Sequence, residues 1–431
     1  MTTSIGAEVL APPPPSPSPE RQNEILLKRP GLFAAALILT AAAIYFAFLT
    51  PSIVSLSIRI FGVDPTGKAL GLSTVVLIGA LISVVTLPLF GSLSDRTRGP
   101  FGRRRPWLVG GSLIVLAGAI VVGTAPSVAM VAIGWSLSQL GFSAVIAAFL
   151  ALVPDFVPEH LRARTSAGIG VMTGLVVLAG IAFASANVAN PVIMMVVPAA
   201  VAVFFVLGLS FVIAKVDVTP ADAALPPRYS LREFAGSFFI NPSRHPSFAW
   251  NWVSRLLFGI ALVGLQTYST YFLTDVTGLS IQEATARYTL VTLITTPVGF
   301  VFTIAAGFLS DKLNRRKIFV VGAAVTAASG ILIAALTQSP DGFLIAYIVF
   351  SIGLAFYLTV DVAIAASVVP DPAQSAKAMA VYQVSTTAPA IVVPLIGVLV
   401  LTSAAAYVPF FFILSVIALL SAITILFVKV R

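Results

Sequence analysis

The chain has 431 residues, of which 58% are hydrophobic and 10% are charged, and its mean hydropathy is +1.03. A soluble domain carries roughly 25% charged residues because its surface faces water, so the composition excludes a string of soluble domains. The absence of cysteine excludes disulfides and thiolate metal sites, and we expect neither a metal nor a cofactor. The net charge of +9 would suit a nucleic-acid partner, but its distribution follows membrane topology instead, so we predict no nucleic acid.

The predicted elements are twelve apolar spans in two groups of six. Residues 1–30 contain a proline-rich tract, and we expect a disordered cytoplasmic tail rather than a secretory signal. The first six spans lie at about 32–58, 69–91, 106–125, 128–151, 165–186 and 191–214. After a polar loop at 215–246, six more lie at about 247–274, 286–309, 317–337, 342–368, 378–401 and 405–428. Since a helix of each length crosses a ~30 Å hydrocarbon layer, we predict an all-α membrane protein with six-helix bundles at 31–214 and 247–431.

Basic residues indicate how these spans are oriented. Of the 25 lysines and arginines, 21 lie on the membrane side that also holds both chain termini. Arg59, Lys68 and Arg287 lie on the opposite side, and Arg255 falls inside the seventh span. Because cytoplasmic loops carry an excess of basic residues, we predict that both termini are cytoplasmic and that the protein lies in the plasma (inner) membrane.

Two short motifs recur at one spacing. The segment Gly91–Asp95, after the second span, recurs as Gly307–Asp311 after the eighth, and Val153–Asp155 recurs as Val369–Asp371. Both pairs are 216 residues apart, which predicts a duplication of six helices. An even number of spans keeps the two copies in the same orientation, so we expect an axis along the membrane normal. Two similar bundles with a site between them favour a transporter over a channel or a membrane enzyme.

The segment 91–107, GSLSDRTRGPFGRRRPW, resembles the loop 2–3 signature of the major facilitator superfamily. Its ending is similar to the branch that contains glycoside–pentoside–hexuronide symporters and plant sucrose transporters, as are the stretches 152–164 and 271–280; the segment 307–317 is a weaker copy of the signature. The resemblance covers 31–428. It implies the major facilitator fold, transport of a small molecule by alternating access, and a central cavity lined by helices 1, 4, 7 and 10.

Charged residues at the helix ends are predicted to gate the cavity. Arginine pairs with carboxylates through two parallel hydrogen bonds, so such pairs could form a latch that is made when the cytoplasmic side is closed. The alternative is that these arginines only satisfy the positive-inside rule. The predicted gating residues, none of which should contact substrate, are Asp95, Arg96, Arg103, Arg104, Asp155, Asp311 and Arg315.

Two charges stand out within the spans. Asp361 is the only acidic residue inside a predicted span, and Arg255 is the only basic one that is not near a boundary. Each lies about eight residues, or ~12 Å, from the cytoplasmic boundary. An ionisable group costs ~3 kcal/mol at the centre of a span unless it faces a cavity or a partner. We therefore predict that Asp361 and Arg255 couple transport to protons, the alternative being a static pair that holds the C-terminal half together.

Polar residues with helical spacing are the candidates for substrate binding. Amides, hydroxyls and aromatic faces suit a neutral polyol such as a sugar, although hydroxyls also tighten helix packing. Tyr268 and Tyr271 lie opposite Arg255 on an ideal helix and are left out of the set. The predicted substrate-binding residues are Tyr45, Ser136, Gln139, Gln266, Tyr357 and Gln383.

The sequence thus predicts a secondary transporter, not an enzyme, that imports a sugar or glycoside with protons and functions as a monomer among membrane lipids. Helices 2 and 4 lack the acids on which melibiose-type and plant sucrose transporters depend, which leaves Asp361 as the coupling acid. One alternative is proton-coupled efflux of an amphipathic small molecule. Another is a sensor or lipid-handling protein on the same fold, which would bind its ligand without transporting it.

Overall fold

The structure is a computed structural model that describes residues 30–214, 243–313, 316–368 and 375–428. The predicted N-terminal tail and most of the central loop lie outside these ranges. Within them, twelve helices are long and apolar enough to cross a membrane, which confirms the predicted twelve-helix fold.

The N-terminal half contains six helices. They are α1 (Pro30–Val63), α2 (Lys68–Arg96), α3 (Arg105–Thr124), α4 (Val128–Phe156), α5 (Glu159–Ala186) and α6 (Pro191–Ile213). The C-terminal half contains α7 (Pro246–Asp275), α8 (Ile281–Leu313), α9 (Arg316–Thr337), α10 (Pro340–Ser367), α11 and α12 (Tyr407–Leu426). Helix α11 consists of two segments, α11a (Ser375–Thr387) and α11b (Pro389–Val400).

Helix ends and interruptions follow from local sequence. Serine caps begin α4 and α10, where Ser127 Oγ accepts a hydrogen bond from the Met130 N–H and Ser339 Oγ accepts one from the Gly342 N–H. Because proline has no N–H to donate, Pro51 opens a π-helical turn in α1, and Pro389 divides α11.

The two halves repeat the same packing scheme. In the N-terminal half α3 packs on α4 and α6, α2 packs on α4, and α1 packs on α5 and α6. The equivalent helices of the other half make the same contacts, with α9 on α10 and α12, α8 on α10, and α7 on α11 and α12. Between the halves α2 meets α11b and α5 meets α8. These two interfaces are equivalent under the exchange of the halves, as a six-helix duplication predicts.

We call the two ends of the helix bundle the Asp275 end and the Arg104 end, after one residue at each. The Asp275 end holds the connections α1–α2 and α7–α8, and the Arg104 end holds α2–α3 and α4–α5. Large apolar side chains cover much of the outer surface, for example Phe204 at 73% exposure and Leu399 at 79%. Such a surface is unfavourable in water and suits lipid as the surrounding solvent.

Candidate functional site

A buried ion pair lies within the C-terminal half. Asp361 of α10 has no exposed surface, and its Oδ2 accepts a hydrogen bond from Arg255 Nη1 of α7. The sequence places both residues at equal depth, and the structure brings them into contact. An isolated charge in an apolar interior is strongly disfavoured, so each side chain provides the counter-charge that stabilises the other there.

Two residues of α11a complete the surroundings of this pair. The Tyr382 hydroxyl accepts a hydrogen bond from Arg255 Nη1 at 2.6 Å and donates one to Asp361 Oδ2. Thr386 Oγ1 accepts a bond from Arg255 Nε at 3.1 Å. Sequence reasoning missed both residues, although their i, i+4 spacing places them on one helix face. It chose Gln383, the residue after Tyr382, whose side chain is exposed.

The two oxygens of the Asp361 carboxylate have different surroundings. Oδ2 is held by Arg255 and Tyr382, whereas Oδ1 is buried and has no hydrogen-bond partner among the described residues. Burial disfavours a charged carboxylate, while a neighbouring guanidinium favours it. These two effects oppose each other at Asp361.

The predicted substrate residues divide into two groups. Gln139 and Tyr357 are buried and bonded within their own halves: Gln139 Oε1 accepts a hydrogen bond from Ser83 of α2 at 2.8 Å, and the Tyr357 hydroxyl lies 3.2 Å from Ser254 Oγ. The remaining four are partly or fully exposed, and their role stays a prediction. They are Tyr45, Ser136, Gln266 and Gln383.

An aromatic face lies between α1 and α4. The rings of Phe48 and Phe142 stack with centroids 3.9 Å apart, and Trp135 continues the stack at 6.5 Å from Phe48. Phe48 and Phe142 are both partly exposed. The predicted substrate-binding residues include no phenylalanine or tryptophan, so sequence reasoning missed this face.

At the Arg104 end, an ionic cluster ties three helices of the N-terminal half together. Arg104 is buried and pairs with Asp95 Oδ1 of α2 at 2.7 Å and with Asp155 Oδ2 of α4 at 3.0 Å. Arg103 also forms an ion pair with Asp155, at 2.5 Å. A further predicted gating residue, Arg96, lies in the last turn of α2. The structure thus brings four predicted gating residues together within one half, and their gating role stays a prediction.

The predicted counterparts in the C-terminal half cannot be placed in the same way. The side chain of Asp311 and the whole of Arg315 lie outside the described residues.

The halves meet at the Asp275 end through residues of α7. The Tyr268 hydroxyl lies 2.5 Å from Ser73 Oγ of α2, and the Tyr271 hydroxyl donates to the Ser57 carbonyl of α1 at 2.8 Å. At the end of α7, Asp275 forms an ion pair with Lys68 of α2, and both side chains are largely buried. We call these three contacts the Asp275 seam. Sequence reasoning set Tyr268 and Tyr271 aside, although their spacing with Asp275 marks one helix face.

The turn before α2 places Lys68 at the seam. Asp64 Oδ1 accepts hydrogen bonds from the Gly67 N–H at 2.8 Å and from the Thr66 hydroxyl at 2.9 Å. These bonds favour the charged carboxylate, so they lower the pKa of Asp64 from its usual value. The turn is thereby fixed next to the first residue of α2.

A glycine of α11b makes the closed seam sterically possible. Gly397 lies against the Tyr268–Ser73 contact, and a Cβ at this position would overlap Tyr268 Oη and come within 2.7 Å of Ser73 Oγ. Any larger residue would displace the Tyr268 and Ser73 side chains from this contact.

Comparisons with known proteins agree on the family and the fold. A family model described as the Major Facilitator Superfamily matches residues 32–304 and 289–431. The inner membrane transport protein YajR of Escherichia coli is 34% identical over 133 residues, which cover 30% of this chain and 26% of that protein. An uncharacterized symporter of Synechocystis, sll1374, is 36% identical over 66 residues, which cover 15% of this chain and 12% of that protein. The matched segments thus span well under two thirds of either relative.

Solved transporter structures resemble the whole chain. A peptide transporter POT has a TM-score of 0.74 at 15% identity, covering 94% of this chain and 97% of its own. A nucleoside transporter, NupG, has a TM-score of 0.70 at 12% identity, covering 91% and 99%. A bacterial homolog of the human lysosomal transporter Spinster has a TM-score of 0.67 at 14% identity, covering 96% and 99%. Identities this low concern the fold alone.

Proposed function

Because the chain belongs to the Major Facilitator Superfamily, we propose that this membrane transporter imports a sugar or glycoside together with protons. The superfamily match covers nearly the whole chain, while the sugar-symporter branch rests on the signature resemblance in 91–107. The excess of basic residues at the Arg104 end supports an orientation with that end and both termini in the cytoplasm of a plasma-membrane protein. The protein works as a monomer, since each chain supplies both halves of the transport path.

The observation that carries this proposal is the buried pair of Asp361 and Arg255. Among the ion pairs of the described residues, it is the only carboxylate–guanidinium pair whose members both lie inside spans rather than at their ends. While the guanidinium remains close, the carboxylate stays ionised; when a conformational change withdraws it, a buried carboxylate takes up a proton. A neutral acid can then cross the apolar layer at much lower cost than a charged one. The alternation of these two states is what proton coupling requires.

The polar and aromatic side chains described above support a polyol as the substrate. The exposed Gln383 and the partly buried Gln266 and Tyr45 offer donors and acceptors for hydroxyl groups, and the Phe48–Phe142 stack offers a flat apolar face. Arg255 and Asp361 are oppositely charged, so the pair adds no net charge that would favour an ionic substrate. The name of the Synechocystis relative, a symporter, supports movement of substrate and ion in one direction.

The Asp275 seam supports a state assignment. With the Arg104 end in the cytoplasm, the seam lies at the outer surface, and its hydrogen bonds and ion pair hold the outer ends of the halves together. The structure then corresponds to the conformation that is closed to the outside. Import requires this seam to open before substrate enters.

The test begins with the substrate. A thermal-shift screen of the purified protein against sugars identifies a ligand, because a ligand stabilises the state that it binds. In proteoliposomes, addition of that sugar should acidify the vesicle interior in step with uptake. Binding without flux would favour a sensor, and headgroup exchange without a soluble substrate would favour lipid handling.

The decisive variant is Asp361→Asn, which mimics the protonated acid permanently. We expect it to lose uphill, proton-driven accumulation and to keep exchange of substrate between equal pools, which needs no net proton movement. Asp341→Asn is the matched control, because that acid is 90% exposed and its surface pair with Arg287 contributes only ~0–1 kcal/mol. Accumulation that persists in Asp361→Asn contradicts the coupling role. Loss of both activities in a poorly folded variant would favour a static pair.

A further inference from the structure

The hydroxyl of Tyr382 connects both members of the buried pair. It accepts from Arg255 Nη1 at 2.6 Å and donates to Asp361 Oδ2, and its ring lies 4.4 Å from Arg255 Cζ. The side chain is 4% exposed, so water does not compete for these bonds. A phenol can serve both groups at once because its oxygen accepts while its proton is donated.

We propose that Tyr382 is the positioning residue of the coupling pair: it holds Oδ2 of Asp361 throughout the cycle, so that the transported proton binds to Oδ1. This inference rests on the proposed proton coupling. When Arg255 withdraws, the Tyr382 hydroxyl keeps its bond to Oδ2, and Oδ1 is the oxygen without a partner among the described residues. On uptake, Oδ1 accepts a proton from water on the outer side and one O–H bond forms; on release, that bond breaks and the proton passes to water on the cytoplasmic side, with no change in oxidation state.

The other described groups near Asp361 do not donate a hydrogen bond to its carboxylate, apart from Arg255. Tyr357, one turn earlier on α10, directs its hydroxyl to Ser254 of α7 and stacks on Phe258. The charged residues of α8 and α9 lie only near the helix ends, and α12 carries none. From α7 the one charged side chain that faces Asp361 is Arg255. Within the described residues, Tyr382 is therefore the only hydrogen-bond donor to the carboxylate besides Arg255.

The position of Tyr382 in the fold links the pair to the other half. It lies on α11a, while α11b, after Pro389, packs against α2 of the N-terminal half. The ring of Pro389 lies against Gly259 of α7, where a Cβ would come within 2.7 Å of the proline Cγ. A change in the angle between the two segments of α11 would thus move Tyr382 and Thr386 relative to Arg255.

The first measurement is the pH profile of proton-coupled accumulation. In Tyr382→Phe the ring remains but the donor to Asp361 is lost, so the neutral acid is favoured. We expect half-maximal accumulation to move to higher pH by about one unit, a tenfold change in proton affinity, with the half-saturation concentration for sugar unchanged. Tyr347→Phe is the control, because this buried tyrosine bonds to Ser269 and Tyr288, away from the pair.

A second variant tests the inference in case Tyr382→Phe does not fold. Thr386 is exposed, so Thr386→Val should fold, and weakening the hold on Arg255 should move the profile in the same direction by a smaller amount. Profiles of both variants that match the wild type overturn the inference and leave proton coupling by Asp361 intact.

The last measurement does not depend on transport. In detergent, Tyr382→Phe should lower the thermal midpoint less in an Asp361→Asn background than in the wild type, since the two residues share one bond. Additive losses would overturn the positioning role. If the wild-type protein moves no protons, the proposed function fails, and this double-mutant cycle still decides whether Tyr382 positions Asp361.

Discussion

The two halves share one helix arrangement but place their charges differently. The N-terminal half has its ionic cluster at a helix end, where Arg104 joins Asp95 and Asp155 near the headgroups. The C-terminal half has Arg255 and Asp361 in the interior of its helices. Helix packing is therefore the same in the two copies, while the positions of their charged residues differ.

The repeat distance makes this contrast specific. A shift of 216 residues places Leu39 and Val145 at the positions that correspond to Arg255 and Asp361. Both counterparts are apolar, so the same scaffold folds without the pair. Because each buried charge is costly in lipid, a pair present in only one half indicates a role that needs one copy. The first half provides an aromatic face instead, through Phe48 and Phe142.

The largest effect is expected from removing one member of the interior pair. Arg255→Ala leaves Asp361 buried without its cation and should destabilise the protein by about 3–5 kcal/mol, measured as a fall in the thermal midpoint in detergent. Adding Asp361→Asn should recover most of the loss. In the N-terminal half, Arg103→Ala removes a pair that is 29% exposed on the arginine side and should cost no more than ~1 kcal/mol. Equal losses for the two arginines would remove the distinction between the halves.

An intermediate effect is expected where the halves meet. Gly397→Ala introduces a methyl group into the Tyr268–Ser73 contact, and overpacking of this kind costs ~1–3 kcal/mol. The seam should then stay open, with transport reduced about tenfold. Because the chain has no cysteine, the labelling rate of a single thiol, introduced as Ser57→Cys, measures how often the seam opens. This substitution keeps the backbone carbonyl of residue 57, which accepts the hydrogen bond from Tyr271. Gly299→Ala, where a Cβ meets nothing within 4 Å, is the control, and equal labelling rates in the two variants would rule out a steric role for Gly397.

The smallest effect is expected at the ionic cluster. Asp95→Asn removes one of the two carboxylates that pair with Arg104, and Asp95 is 49% exposed, so stability should change by less than ~1 kcal/mol. If the cluster gates the cytoplasmic end, transport should fall about threefold to tenfold while expression and ligand binding remain measurable. Ser92→Ala, an exposed position on the same helix end whose hydroxyl bonds only its own helix, serves as the comparison. Unchanged initial rates in Asp95→Asn would show that the cluster is structural.

Hydropathy and charge made the fold and the interior pair predictable. An apolar run of about twenty residues can only be a helix in lipid, and a charge within one is rare enough to demand a partner. Tyr382 and Thr386 were not predictable in this way, because tyrosine and threonine are common in spans. The seam through Tyr268 and Tyr271 was also missed. Its formation depends on how two helices are rotated against each other, and this rotation is set by many small packing contacts that no single residue reveals.

Helix α7 carries both the pair and the seam, since Arg255 and Tyr268 are thirteen residues apart on one uninterrupted helix, or ~20 Å along its axis. Its reciprocal Ser254–Ser421 hydrogen bonds fix it to α12. A stiff helix cannot open one end without displacing the other. We therefore expect opening of the Asp275 seam and separation of Arg255 from its α11a partners to occur together. If the proposed proton coupling holds, this rigidity disfavours intermediates in which protons cross without substrate, and the coupling ratio then depends on the stiffness of a single helix.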